Sequence, residues 1–236
     1  MPQFAGAGTG LTKWFFQPGF VPGTGGLIRE RDLESRRSRF DIHAWRAGNG
    51  IQVQPGERCV SLFCYDSAAL PAMLTALALA PTVVLATPGA STELIAQFLG
   101  PTLKRGMLRG VALPWLSQKD FDHLLWSCDL NFVRGEDSWV RAQWAGAPFV
   151  WQAYVQDDAA HHAKLDAFLD LYLARAPRTL GERVRRLWLD WNQRTNGHLV
   201  LPDLRAWQAH QQRWHSALRE QSDLTSELLR FAADRR

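Results

Sequence analysis

The chain has 236 residues, of which 46% are hydrophobic and 21% are charged, with 27 Lys and Arg against 23 Asp and Glu. This composition excludes a disordered chain, and the length suits one large domain or two small ones. The three cysteines argue against a disulfide scaffold, and the sequence has neither an 18-residue apolar run nor a signal-peptide pattern. We therefore expect a soluble cytoplasmic protein with no membrane partner.

The positive charge is concentrated at the C-terminal end. Residues 181–236 contain 10 Arg and 7 acidic residues, which accounts for +3 of the formal net charge of +4. A nucleic-acid-binding surface typically has a clustered basic stripe with fewer interleaved acids. The sequence therefore predicts no nucleic-acid partner. It fits a mildly basic face that attracts an acidic protein or a phosphorylated ligand.

The start of the chain has the composition of connecting structure. Residues 1–26 are rich in Gly and Pro, and residues 5–10 resemble a phosphate-binding loop only superficially, because no strand precedes them and no helix follows. We predict a flexible start and a linker over residues 1–26. Residues 29–39 alternate in charge and are expected to be exposed.

Residues 58–151 alternate between strand-like and helix-like segments. The predicted strands are 58–65, 82–86, 107–113, 130–134 and 149–151. The predicted helices between them are 67–79, 92–99, 118–126 and 136–145. Strands that alternate with helices indicate a parallel sheet with helices on both faces, so the expected fold class is α/β.

Apolar residues recur at helical spacing from residue 160 to the end, which predicts a helical last third. Six of the 11 Trp lie in helical patterns, namely Trp126, Trp144, Trp188, Trp191, Trp207 and Trp214. Core packing is the usual reason for Trp at such positions. A structural interaction protein built on Trp-rich helices stays open as an alternative.

Residues 130–138 carry the strongest local signal for a binding site. A predicted strand ends at Arg134, and a helix then begins with Glu136, Asp137 and Ser138. A helix N-terminus at the carboxyl end of a parallel strand favours anions, because its N–H groups point outward. Arg134 and Ser138 can donate to phosphate oxygens. The two acids either complement the helix dipole or bind sugar hydroxyls and position Arg134.

Three further segments follow predicted strands and reach the same edge of the sheet. They contribute Phe63 and Tyr65, then Trp115 and Gln118, and last Tyr154. An exposed aromatic ring can stack on a base, and an amide can pair with a base edge. A loop Trp is more often a plug for the core. Together with the anion site, these residues suit a nucleotide diphosphate attached to a sugar.

Five blocks of the sequence are long and specific: residues 14–20, 24–30, 61–65, 131–138 and 141–151. They resemble the EarP family, the protein-arginine rhamnosyltransferases that mature bacterial elongation factor P. The resemblance covers most of the chain from about residue 13. It implies a GT-B fold, with two Rossmann-like lobes, and the transfer of rhamnose from TDP-β-L-rhamnose to an arginine of elongation factor P with inversion.

The resemblance also implies a domain organisation. It assigns residues 27–236 to the C-terminal lobe of a GT-B glycosyltransferase, a nucleotide-sugar-binding Rossmann-like lobe with C-terminal helices. Residues 1–26 then form the flexible start and the inter-lobe linker. The N-terminal lobe of the family carries an Asp-rich motif of the type Asp-Asn-Phe-Gly-Asp-Ile-Gly, which this sequence lacks. We therefore expect that the N-terminal lobe is absent, and that the chain alone binds the donor but transfers weakly or not at all.

The resemblance assigns roles on the nucleoside side of the site. Trp115 would stack on thymine, at a position where the family usually has Phe. Gln118 and Tyr154 would line the base and diphosphate pocket. Phe63 and Tyr65 would border the nucleotide-sugar pocket.

The resemblance assigns further roles around the diphosphate. Arg134, Asp137 and Ser138 would hold the diphosphate and the nearby hydroxyls. Glu136 matches a glutamate implicated in activity and would orient the donor or the acceptor. No cofactor and no metal are expected, since the His and Cys residues show no ligand spacing. A non-catalytic nucleotide-sugar-binding or protein-interaction module stays open as an alternative.

Overall fold

The computed structural model describes residues 2–4, 12–156, 159–194 and 199–235. The chain divides into two compact units. Unit 1 combines Met1–Ser38 with Ser216–Arg236, and unit 2 contains Arg39–His215. This division does not coincide with the predicted boundary after residue 26, because the two ends of the chain contact each other.

Eight strands and ten helices are present in the described residues. The strands are β1 (Pro2–Phe4), β2 (Thr12–Trp14), β3 (Arg58–Leu62), β4 (Thr82–Ala86), β5 (Lys104–Arg105), β6 (Leu108–Ala112), β7 (Leu130–Arg134) and β8 (Phe149–Gln152). The helices are α1 (Leu33–Ser38), α2 (Ile42–Gly48), α3 (Leu70–Leu77), α4 (Ala90–Leu99), α5 (Gln118–Trp126), α6 (Gly135–Ala145), α7 (Ala160–Leu173), α8 (Arg178–Trp191), α9 (Leu204–Arg219) and α10 (Leu224–Ala233).

Unit 2 is built on a six-stranded sheet in the order β5-β6-β4-β3-β7-β8. All neighbouring strands run parallel except β5, which pairs antiparallel with β6. All five residues of β4 are buried, as expected for a central strand covered on both faces. The chain first winds outward from β3 through β4 to β6 and then continues on the other side with β7 and β8. The predicted Rossmann-like parallel sheet with flanking helices is therefore confirmed.

Most of the predicted elements lie where the sequence placed them. Strands β4 and β7 and helix α5 have the predicted bounds, and Gly146 ends α6 in the left-handed conformation with φ of +65°. Helices α1 and α2 and strands β1, β2 and β5 were not predicted, and β1 pairs antiparallel with β2 within the segment that was expected to be a flexible start. The two helices are only six and seven residues long, and α2 has no fully buried residue, so neither shows an apolar stripe in the sequence.

Helices α7 and α8 pack on the sheet next to β8. The ring centroids of Phe149 and Trp188 lie 5.3 Å apart, and Phe168 stacks on Trp188 at 5.5 Å. Trp188, Trp191 and Trp207 have no exposed surface. The prediction that these three Trp pack in the core is therefore confirmed.

Unit 1 is held together by contacts between the start and the end of the chain. The N–H of Leu224 donates to the carbonyl of Leu27 at 3.0 Å, and the side-chain amide of Gln221 donates to the carbonyl of Phe20 at 2.8 Å. Besides the hydrogen bonds among themselves, residues 17–30 therefore bond to a segment about 190 to 200 positions later. The Gly-rich residues 5–10 lie outside the described residues.

Candidate functional site

The order of the strands places a crevice at the carboxyl ends of β3 and β7. These two strands are neighbours, but the crossovers that follow them leave in opposite directions along the sheet. Ligands of open α/β sheets bind at this kind of reversal, because the diverging loops leave a gap. Phe63 and Tyr65 follow β3, and Arg134 ends β7. The topology thus brings these three predicted site residues together.

Arg134 is clamped between two aromatic rings. Its guanidinium carbon lies 4.4 Å from the ring centroid of Phe63 and 4.3 Å from that of Tyr65. Its Nε is buried and has no hydrogen-bond partner among the described residues. Buried polar groups are normally paired, so an unpaired Nε in a crevice indicates a missing acceptor. The clamp therefore presents a positioned cation to a ligand with anionic oxygens.

Ser138 fixes the backbone that carries Arg134. Its Oγ accepts from the N–H of Arg134 at 3.0 Å, and its hydroxyl donates to the carbonyl of the same residue. Gly135 adopts φ of +64°, and Tyr65 Oη lies 3.1 Å from the position that a Cβ would take there. The single hydroxyl proton of Ser138 is thus used within the protein. The hydroxyl can offer a ligand only an acceptor lone pair.

Residues that were expected at this edge of the sheet, but to which the sequence assigned no role, support this crevice from β8. Gln152 Oε1 accepts from the N–H of Tyr65 at 2.8 Å, which ties the loop after β3 to the sheet. The indole of Trp151 donates to the carbonyl of Gly135 at 2.8 Å, and Trp139 stacks on Trp151 at 4.3 Å. In the sequence, Gln152 is a polar residue at the end of a buried strand. That pattern indicates that the side chain needs a hydrogen-bond partner but does not identify the partner.

A cavity of 290 Å³ opens beside the start of α6. It is lined by Tyr65, Gly135, Glu136, Trp151, Ala153, Tyr154, Gln156, His161 and Lys164. The rings of Tyr65 and Tyr154 meet edge to face at 5.8 Å. Three of the predicted site residues, Tyr65, Glu136 and Tyr154, therefore share one cavity. Its far wall comes from α7, which the sequence analysis did not connect with the site.

The two acids at the start of α6 are both exposed. Glu136 Oε1 lies 3.5 Å from Lys164 Nζ, and the side chains of the pair are 73% and 52% exposed. Asp137 does not line the cavity. The structure therefore connects Glu136 with α7. It leaves the predicted diphosphate contact of Asp137 as a prediction.

Trp115 and Gln118 lie outside the cavity lining, on the loop after β6 and at the first residue of α5. Trp115 is 85% exposed, so it does not plug the core. In the sheet, β6 lies three strand positions from β7, which is about 14 Å at the usual strand spacing. An extended ligand along this edge could meet both Trp115 and Arg134.

Cys64 stands between Phe63 and Tyr65 in the chain, but its side chain is buried in the core. It is 2% exposed, and its N–H donates to Ser91 Oγ at 3.0 Å. Burial raises the pKa of Cys64 to about 11, so the thiol stays protonated at neutral pH. This cysteine therefore contributes packing rather than a nucleophile.

The described part of the chain contains no cluster of three His, Cys, Asp or Glu side chains arranged like metal ligands. None of its helices combines the length and the apolar composition needed to cross a bilayer.

Comparisons with known proteins place the chain among relatives of one kind. It is 42% identical over 248 residues to a protein-arginine rhamnosyltransferase of Pseudomonas aeruginosa and 40% identical over 240 residues to one of Pseudomonas putida. These matches cover 95% and 94% of this chain but 65% and 64% of the relatives. The chain thus spans about two thirds of the length of the curated relatives it matches.

A solved structure shares the fold over nearly the whole chain. It is described as "Structural basis for EarP-mediated arginine glycosylation of translation elongation factor EF-P", with a TM-score of 0.80 and 35% identity. The match covers 93% of this chain and 76% of that one. The family of the elongation factor P (EF-P) rhamnosyltransferase EarP matches residues 2–233. This chain therefore belongs to the EarP family of EF-P rhamnosyltransferases.

Proposed function

We propose that this chain binds TDP-β-L-rhamnose and acts as the donor-binding part of an enzyme that transfers rhamnose to an arginine of EF-P with inversion. The observation that carries the proposal is the aromatic clamp on Arg134, whose buried Nε lacks a partner at the start of α6. Family membership and the names of the relatives support the same reaction.

The residues of this crevice would act on the leaving group. In the transfer, the bond between the anomeric carbon and the diphosphate oxygen breaks, and the diphosphate keeps the electron pair. A guanidine nitrogen of the acceptor arginine forms the new bond from the opposite face and gives up a proton to a carboxylate, which the Asp-rich motif of the family's N-terminal lobe would supply. Arg134 and the first N–H groups of α6 would stabilise the negative charge that grows on the diphosphate. Glu136 would orient the donor or the acceptor arginine.

The nucleoside would extend along the sheet edge from Arg134 towards β6. There the exposed ring of Trp115 offers a surface for thymine, and Gln118 offers an amide for the base edge. Tyr65 and Tyr154 would border the diphosphate and the sugar, since both line the cavity beside α6. This arrangement places all the predicted donor contacts within unit 2.

A calorimetric titration of the purified chain with TDP, and with UDP as a comparison, tests donor binding. We expect saturable binding that prefers TDP. Arg134→Ala should weaken it by about 10- to 100-fold, because hydrogen bonds to a charged group contribute about 1.5–3 kcal/mol. Arg175→Ala is the matched control, since Arg175 is exposed at the distal end of α7. The proposal would be contradicted if the folded chain binds no TDP. It would also be contradicted if Arg134→Ala binds TDP as tightly as the original chain does.

Mass spectrometry of EF-P incubated with the chain and TDP-β-L-rhamnose tests the second half of the proposal. We expect little or no transfer, because the family's Asp-rich motif is missing from this sequence. Appreciable rhamnosylation would contradict that expectation. The transfer assay can be repeated with an added N-terminal lobe from a relative. If the chain binds TDP but still transfers no rhamnose, the alternative of a non-catalytic nucleotide-sugar-binding module is favoured.

A further inference from the structure

The cavity beside α6 has an unusual charge arrangement for an anion site. Glu136 borders it with a carboxylate, next to the N–H groups that would receive the diphosphate. Two unit charges of the same sign about 7 Å apart weaken binding by roughly threefold in water and by more where water is partly excluded. Without a nearby cation, Glu136 would therefore weaken the binding of the same diphosphate that Arg134 attracts.

Lys164 is the cation that lies next to this carboxylate. Its Nζ is 3.5 Å from Glu136 Oε1, and both residues line the cavity. Arg134 is held by the aromatic clamp and does not line the cavity, and no ion pair joins it to Glu136 within the described residues. The remaining basic side chain of the lining, His161, accepts from the N–H of Gln156 through Nδ1 at 3.2 Å.

The Glu136–Lys164 pair contributes little to the stability of the fold. Its side chains are 73% and 52% exposed, and ion pairs between exposed side chains stabilise proteins only slightly. The pair also joins two helices that are already positioned by the packed rings of Trp139, Trp151 and Phe168. Its effect is thus expected on a bound ligand rather than on folding.

We propose that Lys164 is a positioning residue that neutralises Glu136 beside the bound diphosphate of the donor. The inference rests on the proposed donor binding at this crevice. In this role Lys164 does not touch the diphosphate. By balancing the charge of Glu136, it allows this carboxylate to lie near the sugar or the acceptor and also next to the anionic diphosphate.

A double-mutant cycle on TDP affinity tests this role. Lys164→Met removes the charge but keeps most of the side-chain length, and it should weaken TDP binding by about three- to tenfold. Lys164→Arg should restore the affinity. Glu136→Gln should increase the affinity, because the positive charge of Lys164 is then no longer balanced by a carboxylate. Lys164→Met combined with Glu136→Gln should return within about twofold of the original chain, because neither charge is then present. Lys104→Met, in the exposed strand β5, is the matched control and should have no effect.

Each outcome separates this inference from the proposed function. If the original chain binds no TDP, both fail. If it binds TDP and Lys164→Met binds equally well, only the role of Lys164 is overturned. If the double variant stays as weak as Lys164→Met, Lys164 contacts the diphosphate directly and the neutralising role is wrong. Circular dichroism of Lys164→Met should match that of the original chain, and a misfolded variant is replaced by Lys164→Gln.

Discussion

Gly26 occupies a backbone position that no other residue can fill without strain. Its φ is +69°, and a Cβ there would stand 2.3 Å from the carbonyl oxygen of Ser222. We expect Gly26→Ala to open the contact between the two chain ends of unit 1, because the new methyl group meets backbone rather than a flexible side chain. Faster amide hydrogen exchange at Gly19 and Gly25, whose N–H groups bond within this loop, is the measurement.

Gly23 provides the matched control for that substitution. Its φ is +88°, and nothing lies within 4 Å of a Cβ built there. Gly23→Ala should therefore destabilise the loop only by the cost of placing alanine in the left-handed conformation, about 1–2 kcal/mol. Amide hydrogen exchange should rise less than in Gly26→Ala. Equal exchange rates in the two variants would mean that the approach of Ser222 does not matter.

Individual residues of the site differ in how far the sequence revealed them. Arg134 and Tyr65 could be predicted because they directly follow strands, where parallel topology collects side chains at one edge. Lys164 could not, because a lysine on a helix surface looks the same whether it faces water or a cavity. The hydrogen bonds of Ser138 to the backbone of Arg134 also lay beyond prediction, since a hydroxyl near a helix start suits both a cap and a ligand.

Helix α5 shows how a single cap defines an element. Ser117 Oγ accepts from the N–H of Asp120 at 3.1 Å, and the Ser117 hydroxyl donates to Asp120 Oδ2 at 2.7 Å. Ser117→Ala should lower the free energy of unfolding by about 1 kcal/mol at neutral pH. Urea unfolding measures this change. Ser216→Ala, at an exposed position of α9, is the control and should change it by less than about 0.5 kcal/mol.

The same cap predicts a pH dependence. The hydrogen bond from Ser117 holds the pKa of Asp120 below its ordinary value of 3.8, with burial opposing it and His123 adding to it. A depressed carboxyl pKa stabilises the folded state above the ordinary value, and this contribution is lost as acid protonates the group. The destabilisation caused by Ser117→Ala should therefore shrink as the pH falls below 3.8. A difference that stays constant from pH 7 to pH 3 would contradict this coupling.

Elements with strong end signals could be read from the sequence, and short ones could not. Helix α5 has a Ser cap followed by Asp three residues later, and its predicted and observed bounds agree. Helix α2 is capped by Asp41, whose carboxylate accepts from the N–H groups of His43 and Ala44. Its seven residues are too few to display a helical period, so the cap alone did not identify it.

Unit 1 depends on contacts between the two ends of the chain. Ending the chain at Arg219 removes α10 and the residues that bond to Phe20 and Leu27. We expect residues 17–30 to lose protection from hydrogen exchange, while strands of unit 2 such as β4 keep theirs. Leu229→Ala is the control, because Leu229 lies in the removed segment but is 65% exposed. Unchanged protection of residues 17–30 after truncation would show that they hold their conformation alone.

At this scale the sequence predicted the class of the fold but not its connections. Alternation of strands and helices indicated a parallel sheet, and β3 to β8 confirm it. The strand order with its reversal between β3 and β7 depends on which way each crossover turns, which local patterns do not record. The joining of residues 17–30 to residues 219–224 likewise has no local signature, because its hydrogen bonds end on backbone carbonyls, which every residue offers.

Unit 1 is formed by the first and the last segments of the chain, and this has a consequence for folding during protein synthesis. Arg29 donates to the carbonyl of Arg219, so a ribosome adds 190 residues after Arg29 before that acceptor exists. At about 5–20 residues per second, this corresponds to a wait of roughly 10–40 s. The sheet of unit 2 can form during that interval, while the first segment has no native partner. Nascent chains stalled at increasing lengths should therefore show protease-resistant unit 2 well before the N-terminal segment becomes protected.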